Sequence, residues 1–210
     1  MRLVCISDTH SLHSRIPEIP DGDVLIHAGD CLGAGTLDNV RDLNDWLATL
    51  PHAHKIVIAG NHDWAFQETP GFARETLTNA IYLEDSGVEI DGVHFWGSPW
   101  TPTFLDWAYM RDRGAPIRKK WDLIPEGIDV LITHGPPARI GDEVAIGFKN
   151  QNVGCADLLQ RVQELSPRVH ICGHIHEGYG QYQHGRTLFV NASICTVRYR
   201  PTNPPVIVDI

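Results

Sequence analysis

Aspartate, asparagine and histidine side chains follow five short apolar runs of the sequence, at the points where the runs end. These side chains occur in Asp8–His10, Gly29–Asp30, Gly60–Asp63, His134–Gly135 and Gly173–His176. The carboxyl ends of parallel strands line one edge of an α/β sheet, so we expect the five segments to meet at one place. Carboxylate, imidazole and carboxamide oxygen form the mixed ligand set that Mn²⁺, Fe and Zn²⁺ prefer, whereas a site for Mg²⁺ alone would use fewer histidines. The spacing therefore predicts a transition-metal site.

Two kinds of predicted element position these segments. The candidate buried strands are continuous apolar runs, too short for a helix and too apolar for a half-exposed strand. They are Leu3–Ile6, Asp23–His27, Lys55–Ala59, Val130–Thr133 and Val169–Cys172. Apolar residues at spacings of three and four predict amphipathic helices over Thr36–Leu50 and Cys155–Leu165, which end before Pro51 and Pro167. A strand, a helix and a strand in this order form the parallel crossover unit.

Other segments predict antiparallel pairing, so the sheets should be mixed. These predicted strands are Val88–Ile90 and Val93–Trp96, which form a hairpin, and later Thr187–Val190 and Pro205–Ile210. The stretch Gly97–Pro125 is predicted to run over the surface or the mouth of a cleft, with a helix near Leu105–Arg111. Its tryptophans are predicted as core or loop anchors, with base stacking by Trp100 as the alternative.

The composition is that of an ordinary globular protein. Of the 210 residues, 42% are hydrophobic and 20% charged, and neither a linker nor a repeat is found, so we predict one domain over residues 1–210. The 17 Lys and Arg against 26 Asp and Glu give a net charge of −9, which argues against long nucleic acids as partners. No apolar run approaches the roughly 20 residues of a membrane-spanning helix, and the early Asp8 is incompatible with a signal peptide. We therefore expect a cytoplasmic protein without membrane contact.

Cysteine and histidine usage adds two expectations. The five cysteines form no C-x-x-C pair and are predicted to be buried, reduced thiols. Twelve histidines against four lysines indicate that imidazole serves a purpose other than solubility. His27 and His170 lie in apolar runs and are predicted as core imidazoles, whereas His13 is assigned to a solvated loop, with the site entrance as its alternative. The histidines assigned to the surface are His52, His54, His94 and His184.

The order of the motifs resembles one known family. From Asp8 to His176 the segments D-x-H, G-D, G-N-H-D, H-G and G-H-x-H resemble the calcineurin-like metallophosphoesterase superfamily. Longer stretches at residues 55–62, 96–100, 133–137 and 173–180 resemble its branch of metallophosphoesterase-domain-containing proteins, and the likeness extends over nearly the whole chain. The resemblance implies an α/β fold, a four-layer αββα sandwich of two mixed β-sheets flanked by helices.

By this resemblance, seven side chains bind two divalent metal ions. The first ion is expected at Asp8, His10 and His176, and the second at Asn61, His134 and His174. The Asp30 carboxylate would bridge them, because two cations about 4 Å apart repel each other strongly without a shared anion. Mn²⁺ is the preferred ion, and Fe, Co²⁺ and Zn²⁺ are the alternatives.

The resemblance also implies the reaction. A hydroxide that bridges the metals would attack a phosphorus atom in line with the leaving oxygen. His62 is expected either to protonate the leaving group or only to position the phosphate, with Asp63 orienting the His62 ring and Asn61 also near the substrate. The expected partner is a small phosphorylated molecule. Cyclic nucleotides, related phosphodiesters and phosphomonoesters are the candidate substrates.

Two other functions stay open at this point. A binding or scaffold module of the same fold, with weak or absent catalysis, is the first alternative, and the intact ligand list argues against it. A nuclease that acts on long polymers is the second, and the net charge of −9 disfavours it. The sequence leaves open whether the chain forms a homodimer.

Overall fold

Two large mixed sheets form the centre of the fold in a computed structural model, which describes residues 1–33, 35–147 and 149–210. The strands are β1 (Arg2–Ile6), β2 (Val24–Ala28), β3 (His54–Ile58), β4 (Ile81–Tyr82), β5 (Ser86–Ile90), β6 (Val93–Ser98), β7 (Thr101–Pro102), β8 (Met110–Arg111), β9 (Val130–Thr133), β10 (Glu143–Ile146), β11 (Lys149–Asn152), β12 (Val169–Cys172), β13 (Gly180–His184), β14 (Thr187–Asn191) and β15 (Val206–Asp209). The helices are α1 (Leu37–Ala48), α2 (Trp64–Glu68), α3 (Pro70–Thr76), α4 (Ala115–Trp121) and α5 (Ala156–Leu165), with 3₁₀ turns at His13–Arg15 and His176–Gly178.

Both large sheets combine a parallel centre with antiparallel edges. The first sheet has the order β15-β1-β2-β3-β4, in which β1 to β4 are parallel and β15 is antiparallel. The second sheet has the order β13-β14-β12-β9-β6-β5, with antiparallel β13 and β5 at its edges. Two small pairs, β7 with β8 and β10 with β11, lie outside these sheets. All five predicted buried strands belong to the parallel centres, which brings their carboxyl ends together.

Alternate residues of the central strands pack into different layers of the core. Leu3 of β1 shares a buried cluster with Val130 of the second sheet, so this face of β1 contributes to the core between the sheets. The next residue, Val4, belongs to another cluster, together with Leu43 of α1. Successive strand residues point to opposite faces, so each central strand can pack against both a sheet and a helix layer. This arrangement confirms the αββα sandwich.

The two longer predicted helices are confirmed, and their first residues explain where they begin. The Thr36 hydroxyl accepts a hydrogen bond from the Asn39 amide at 3.2 Å, and the Asn39 side chain accepts one from the Thr36 amide at 3.3 Å. This reciprocal pair is a capping box for α1. The Cys155 sulfur accepts from the Leu158 amide at 3.4 Å at the start of α5. The predicted hairpin is also confirmed, as β5 and β6.

The helix predicted near Leu105–Arg111 is wrong. This stretch forms turns and β8, and its backbone bonds elsewhere: the Thr101 amide donates to the Tyr109 carbonyl at 3.0 Å. A helix begins instead at Ala115, after Gly114 adopts a φ of +78° and with a proline in its first turn. Ile117 and Trp121 of this helix are buried, four residues apart. The prediction of a long excursion holds, but its helix lies further along the chain.

The burial of histidines outside the five segments depends on contacts with residues distant in sequence. His27 and His170 are core imidazoles as predicted, with 1% and 0% exposure. The predicted solvated position of His13 is wrong, because its ring is buried and its Nε2 lies 3.1 Å from the Asp42 carboxylate of α1. His52 is buried too, contrary to its predicted surface position, and donates to the Pro20 carbonyl at 3.0 Å.

The remaining expectations concern further side chains and the membrane. His94 and His184 are exposed and His54 is half-buried. All five cysteines are free and buried, as predicted. Trp100 is a loop anchor: its Nε1 donates to Asp85 at 2.9 Å. Its ring is buried and contacts the Arg111 guanidinium and the Lys120 ammonium, 4.0 Å and 4.3 Å from the centroid, so it is not available for base stacking. Within the described ranges, no helix combines the length and apolar character needed to cross a membrane.

Candidate metal centre

Seven predicted ligands converge at the edge where the parallel strands of both sheets end. Asp8 and His10 follow β1, Asp30 follows β2, and Asn61 follows β3. From the second sheet, His134 follows β9, and His174 and His176 follow β12. The two sheets therefore contribute to one site from opposite sides.

The first group of candidate ligands is Asp8, His10 and His176. One ligand atom from each lies within 4.8 Å of the others. His176 Nε2 is 3.5 Å from the Asp8 carboxylate and 3.4 Å from His10 Nε2. Two imidazole nitrogens at this distance need a shared proton or a cation between them.

The second group contains Asp30, His134 and His174, whose ligand atoms also lie within 4.8 Å of one another. His134 Nε2 is 3.3 Å from Asp30 Oδ1 and 2.9 Å from Asn61 Oδ1. Asp30 also forms a group with His10 and His62, and its Oδ2 lies 3.9 Å from His10 Nε2. The Asp30 carboxylate thus faces both groups, as a bridging ligand must.

Hydrogen bonds from the far ring nitrogens fix the tautomers of two histidines. His134 Nδ1 donates to the Ala28 carbonyl at 3.0 Å, and His176 Nδ1 donates to the Thr196 carbonyl at 3.0 Å. In the neutral ring, Nε2 is then left with a free lone pair directed at the carboxylates, which is how metal-binding histidines are commonly oriented. His10 Nδ1 is buried and has no hydrogen-bond partner among the described residues. The donor set and its orientation fit divalent transition metals.

Charge at the site is concentrated on two buried carboxylates. Burial would raise the pKa of Asp8, but the hydrogen bond with His176 and the charges of neighbouring histidines hold that pKa well below its ordinary value. Burial opposes ionisation of Asp30 in the same way, and the charge of His134 outweighs it, so the pKa of Asp30 is lowered. Burial lowers the pKa of His174 to about 4, which leaves this imidazole neutral. Burial would lower the pKa of His134, but the charge of Asp30 outweighs it and raises that pKa to about 9. A metal ion that binds there would displace the proton of His134, while the carboxylates are already anionic.

Several candidate ligands have backbone conformations that L residues rarely adopt. Asp8, His10, Asp30 and His174 have φ values of +53°, +46°, +52° and +67°. Each left-handed residue costs about 1 kcal/mol, and such residues cluster at functional sites. Neighbouring loops hold the turns, because the Asp8 amide donates to the Gly29 carbonyl at 2.9 Å and the His10 amide to the Asp30 carbonyl at 3.0 Å.

Two glycines leave room for the buried carboxylates. A Cβ atom at Gly60 would overlap the Asp30 Oδ1 atom, and one at Gly173 would overlap the Asp8 Oδ2 atom. Both conflicts involve side chains that are held in place. Glycine is required at these positions because the backbone approaches the ligands closely.

Asp63 lies under the site and does not contact the ring it was expected to orient. Its carboxylate accepts hydrogen bonds from the amides of Gly60 at 2.7 Å, Leu32 at 2.8 Å and Cys31 at 3.2 Å. No hydrogen bond to the His62 ring is found in the described part of the chain, which corrects that expectation. Burial, with the charge of Asp30, raises the pKa of Asp63 to about 7. Asp63 ties the loop after β2 to the loop after β3.

His62 lies at the rim of the site. Its amide donates to Asp30 Oδ1 at 2.8 Å, and its Nε2 is 4.0 Å from Asp30 Oδ2. The ring packs edge-on to His10, with centroids 4.7 Å apart, and against Trp107, with centroids 4.5 Å apart and planes at 33°. The Ala108 amide donates to the Asn61 carbonyl at 3.1 Å, which brings the neighbouring Trp107 to this position.

Sequence reasoning assigned Trp107 only as a core or loop anchor, and it did not single out two further aromatic residues beside the ligands. The Tyr199 ring lies 4.8 Å from the His10 ring and 5.5 Å from the His176 ring. The Phe104 ring lies 5.5 Å from the His174 ring. A cavity of about 540 Å³ opens beside His174 and His176, between these two aromatic residues. All three aromatics lie in irregular segments, where periodicity carries no information about contacts.

Comparisons with known proteins agree with this geometry. The family model of the calcineurin-like phosphoesterase superfamily domain matches residues 1–210. Metallophosphoesterase domain-containing protein 1 of Homo sapiens is 46% identical over 233 residues, and the match covers 100% of this chain and 71% of that protein. The UPF0046 protein C25E10.12 of Caenorhabditis elegans is 41% identical over 228 residues, with 100% of this chain and 81% of that protein covered.

A solved structure supports the fold independently of sequence. The crystal structure of TT1561 of Thermus thermophilus superposes with a TM-score of 0.59 at 13% identity, covering 90% of this chain and 88% of that chain. At this identity the likeness concerns the fold alone, whereas the family match concerns the whole sequence. The chain belongs to the calcineurin-like phosphoesterase superfamily.

Proposed function

We propose that this protein is a dinuclear metal-dependent phosphoesterase that hydrolyses small phosphodiesters, with cyclic nucleotides and related compounds as candidates, or phosphomonoesters. The observation that supports this most is the position of Asp30, which forms one candidate ligand group with His134 and His174 and another that includes His10 of the first group. A single-metal site has no need for a shared carboxylate. Family membership supports metal-dependent phosphoester chemistry in general.

Each side of the site supplies one set of ligands. The first ion would be held by Asp8, His10 and His176, the second by Asn61, His134 and His174, and both by Asp30. When bound, two divalent cations supply positive charge to the phosphate oxygens and activate water at neutral pH. Mn²⁺ is the proposed ion, and Fe, Co²⁺ and Zn²⁺ suit the same donors.

His62 is proposed to act on the substrate. It lies at the rim, its backbone amide donates to Asp30, and its ring nitrogens form no hydrogen bond within the described residues, so they are available for a phosphate or leaving oxygen. In one role, the ring donates a proton to the leaving oxygen as the ester bond breaks. In the other, it only donates a hydrogen bond that positions the phosphate. Contact with Trp107 would restrict the ring to one orientation in either role.

The test combines metal content with turnover. The purified protein is loaded with Mn²⁺, its metal-to-protein ratio is measured, and hydrolysis of bis(4-nitrophenyl) phosphate and a panel of nucleotides and sugar phosphates is followed. We expect up to two ions per chain and metal-dependent hydrolysis. Bound metal without turnover of any phosphoester would favour the scaffold alternative, and a chain that binds no metal would overturn the proposal.

A further inference from the structure

Several exposed apolar side chains line one cavity beside the candidate metal centre. Phe104, Val197 and Tyr199 are 53%, 54% and 51% exposed, and all three line the cavity of about 540 Å³. Contiguous apolar surface in a concave site is typical of ligand-binding pockets, because a ligand removes that surface from water. Single exposed apolar residues elsewhere on a protein need no such explanation.

The cavity opens directly onto the candidate ligands. His174 and His176 form part of its wall. The Phe104 ring lies beside His174, with centroids 5.5 Å apart, and the Tyr199 ring lies beside His176 at the same distance. A group attached to a phosphate at the metal centre could therefore extend into the space between the two aromatic rings.

Backbone hydrogen bonds hold both aromatic walls in place. Next to Phe104, the Thr103 amide donates to the Arg111 carbonyl at 2.9 Å. Tyr199 lies in a turn in which its amide donates to the Thr196 carbonyl at 2.8 Å. Tyr199 has a φ of +53°, which is rare for a bulky side chain and often marks a functional position. The walls are thus formed before a ligand arrives, which lowers the entropic cost of binding.

The charge of the wall indicates what kind of group fits. Apart from the imidazoles, Arg113 and Glu177 are the charged residues among those described around the cavity, one of each sign. The Arg113 guanidinium donates to the carbonyls of Val153 at 2.5 Å and Gly154 at 2.7 Å, so its hydrogen-bonding capacity is partly committed. A cavity with balanced charges and apolar walls favours a neutral group over a second phosphate.

We infer that this cavity is a specificity pocket for a neutral aromatic group carried by the phosphoester substrate, with Phe104 and Tyr199 as its walls. Aromatic rings stack favourably on such side chains. The inference rests on the proposed function, because the pocket is assigned to a ligand whose phosphate occupies the metal centre. It adds a preference within the candidate substrates: esters with an aromatic group should bind better than esters of small aliphatic alcohols.

The test uses two phosphonates that cannot be hydrolysed, so binding is measured separately from catalysis. Titration calorimetry on the Mn²⁺-loaded protein compares phenylphosphonate with methylphosphonate, which share the anionic group and differ in the aromatic ring. We expect phenylphosphonate to bind about tenfold more tightly. In the Phe104→Ala/Tyr199→Ala variant this ratio should fall close to one, because the preference for the aromatic ring is lost.

Two single variants test whether the change in the affinity ratio comes from the cavity walls. Leu123→Ala removes an equally exposed apolar side chain that does not line the cavity, and it should leave the ratio unchanged. Phe104→Ala alone should lower the ratio part of the way and provides the result if the double variant does not fold. Equal affinities in the wild type, or an unchanged ratio in the folded variants, would overturn the pocket assignment. Failure of both phosphonates to bind the wild type would overturn the proposed function and the pocket together, whereas an intact preference without any turnover would overturn only the hydrolysis.

Discussion

The Asp30 carboxylate has the most demanding position among the candidate ligands. It is 2% exposed and faces histidines from both groups, with Oδ1 directed towards His134 and Oδ2 towards His10. An anion at this position reduces the repulsion between two cations, and a neutral side chain of the same shape cannot. A substitution that removes the charge and keeps the shape of the Asp30 side chain therefore tests whether the charge is required.

Asp30→Asn should abolish most metal-dependent hydrolysis and empty at least one of the two metal positions, because the shared negative charge is lost. The amide keeps the shape of the side chain, so we expect circular dichroism to show a folded protein. Elemental analysis gives the number of ions per chain, and the exposed Asp38→Asn serves as a control for the loss of one acidic group. Two ions and normal turnover in Asp30→Asn would show that the carboxylate does not bridge.

His62→Ala should retain both metal ions and lose about 10²-fold or more in turnover, the usual contribution of a general acid. The identity of the leaving group separates the two proposed roles. Alkoxide is a poor leaving group and needs a proton, so a general acid predicts a larger loss with alkyl esters than with nitrophenyl esters. An equal loss with both kinds of ester would assign His62 to phosphate positioning, and undiminished turnover would exclude both roles.

Residue types and their order along the chain were enough to predict which side chains meet at the metal centre, since every one of the seven follows a central strand. The position of Asp63 could not be predicted this way. A carboxylate next to a histidine in sequence suggests a contact between the two side chains, but the backbone amides of two neighbouring loops offered Asp63 three donors. The position of Trp107 likewise depends on a long-range hydrogen bond, from the Ala108 amide to the Asn61 carbonyl.

At the scale of elements, predictability followed the length and regularity of the apolar pattern. The central strands are continuous apolar runs, and α1 spans enough turns for its periodicity to be visible. The short α2 and α3 and the pair of β10 and β11 give no such signal, and the predictions omitted them. Helix α4 did have a local signal that the prediction near Leu105–Arg111 missed, namely Gly114 followed by a proline and two apolar residues four apart.

Asp63→Asn tests the connection between the loops that follow β2 and β3. The carboxylate accepts from three amides, whereas an asparagine would turn an NH₂ group towards at least one N–H donor. We expect the free energy of unfolding to fall by about 1–3 kcal/mol and the affinity for Mn²⁺ to fall by about 10- to 100-fold, the range known for groups that orient metal ligands.

Denaturant titration and metal titration measure these two effects of Asp63→Asn. The exposed Asp45→Asn on α1 is the matched control and should change neither quantity. A variant that is less stable but binds Mn²⁺ as the wild type does would limit Asp63 to a purely structural role. Wild-type values for both quantities would remove any role in holding the loops.

The buried His170 on a core strand should make the protein less stable in acid. Burial lowers the pKa of His170 on β12 to about 3, against about 6.5 in an unfolded chain. Below pH 6.5 the unfolded state binds a proton that the folded state does not, so stability is full above pH 6.5 and is lost as the pH falls towards 3. At pH 5 this one group should cost about 2 kcal/mol.

His170→Gln removes this titration while keeping a donor for the Thr133 hydroxyl, to which the His170 Nε2 donates at 2.8 Å. Urea unfolding at pH 7 and pH 5 in the presence of a chelator measures the effect. The variant should lose about 2 kcal/mol less than the wild type between these pH values. The metal ligands titrate in both proteins, so their contribution cancels in the comparison, and an identical loss would show that His170 does not carry this pH dependence.

At the scale of the whole molecule, the metal centre lies where the two sheets meet. The first sheet provides Asp8, His10, Asp30 and Asn61, and the second provides His134, His174 and His176. The core between the sheets joins them through apolar contacts, and bound ions would add a second connection at the strand ends. The sequence could predict two mixed sheets through the family resemblance, but periodicity alone could not show which sheet edges meet, since this depends on contacts between residues more than 100 positions apart, such as His134 with Ala28.

Metal binding should therefore stabilise the entire fold. An ion that binds only the folded state adds about 2.7 kcal/mol when its free concentration is 100 times its Kd, and each kcal/mol raises Tm by about 2–4 °C in a protein of this size. Calorimetry with Mn²⁺ and with EDTA should show a rise of about 5–10 °C for each ion bound at that ratio.

Because the two sheets each supply ligands to the second ion, one variant from each sheet tests this prediction further. If the ions connect both sheets, His134→Ala in the second sheet and Asn61→Ala in the first should each remove part of the Mn²⁺-dependent rise in Tm, because each truncates one ligand of the same proposed ion. Asp38→Asn changes a highly exposed side chain that is not a candidate ligand, and it should keep the full rise. A wild-type Tm that is equal in Mn²⁺ and EDTA would contradict metal binding to the folded state. A rise that only one of the two alanine variants loses would remove the other side chain from the ligands of this ion, because a ligand that contributes no binding energy leaves the linkage between metal and folding unchanged.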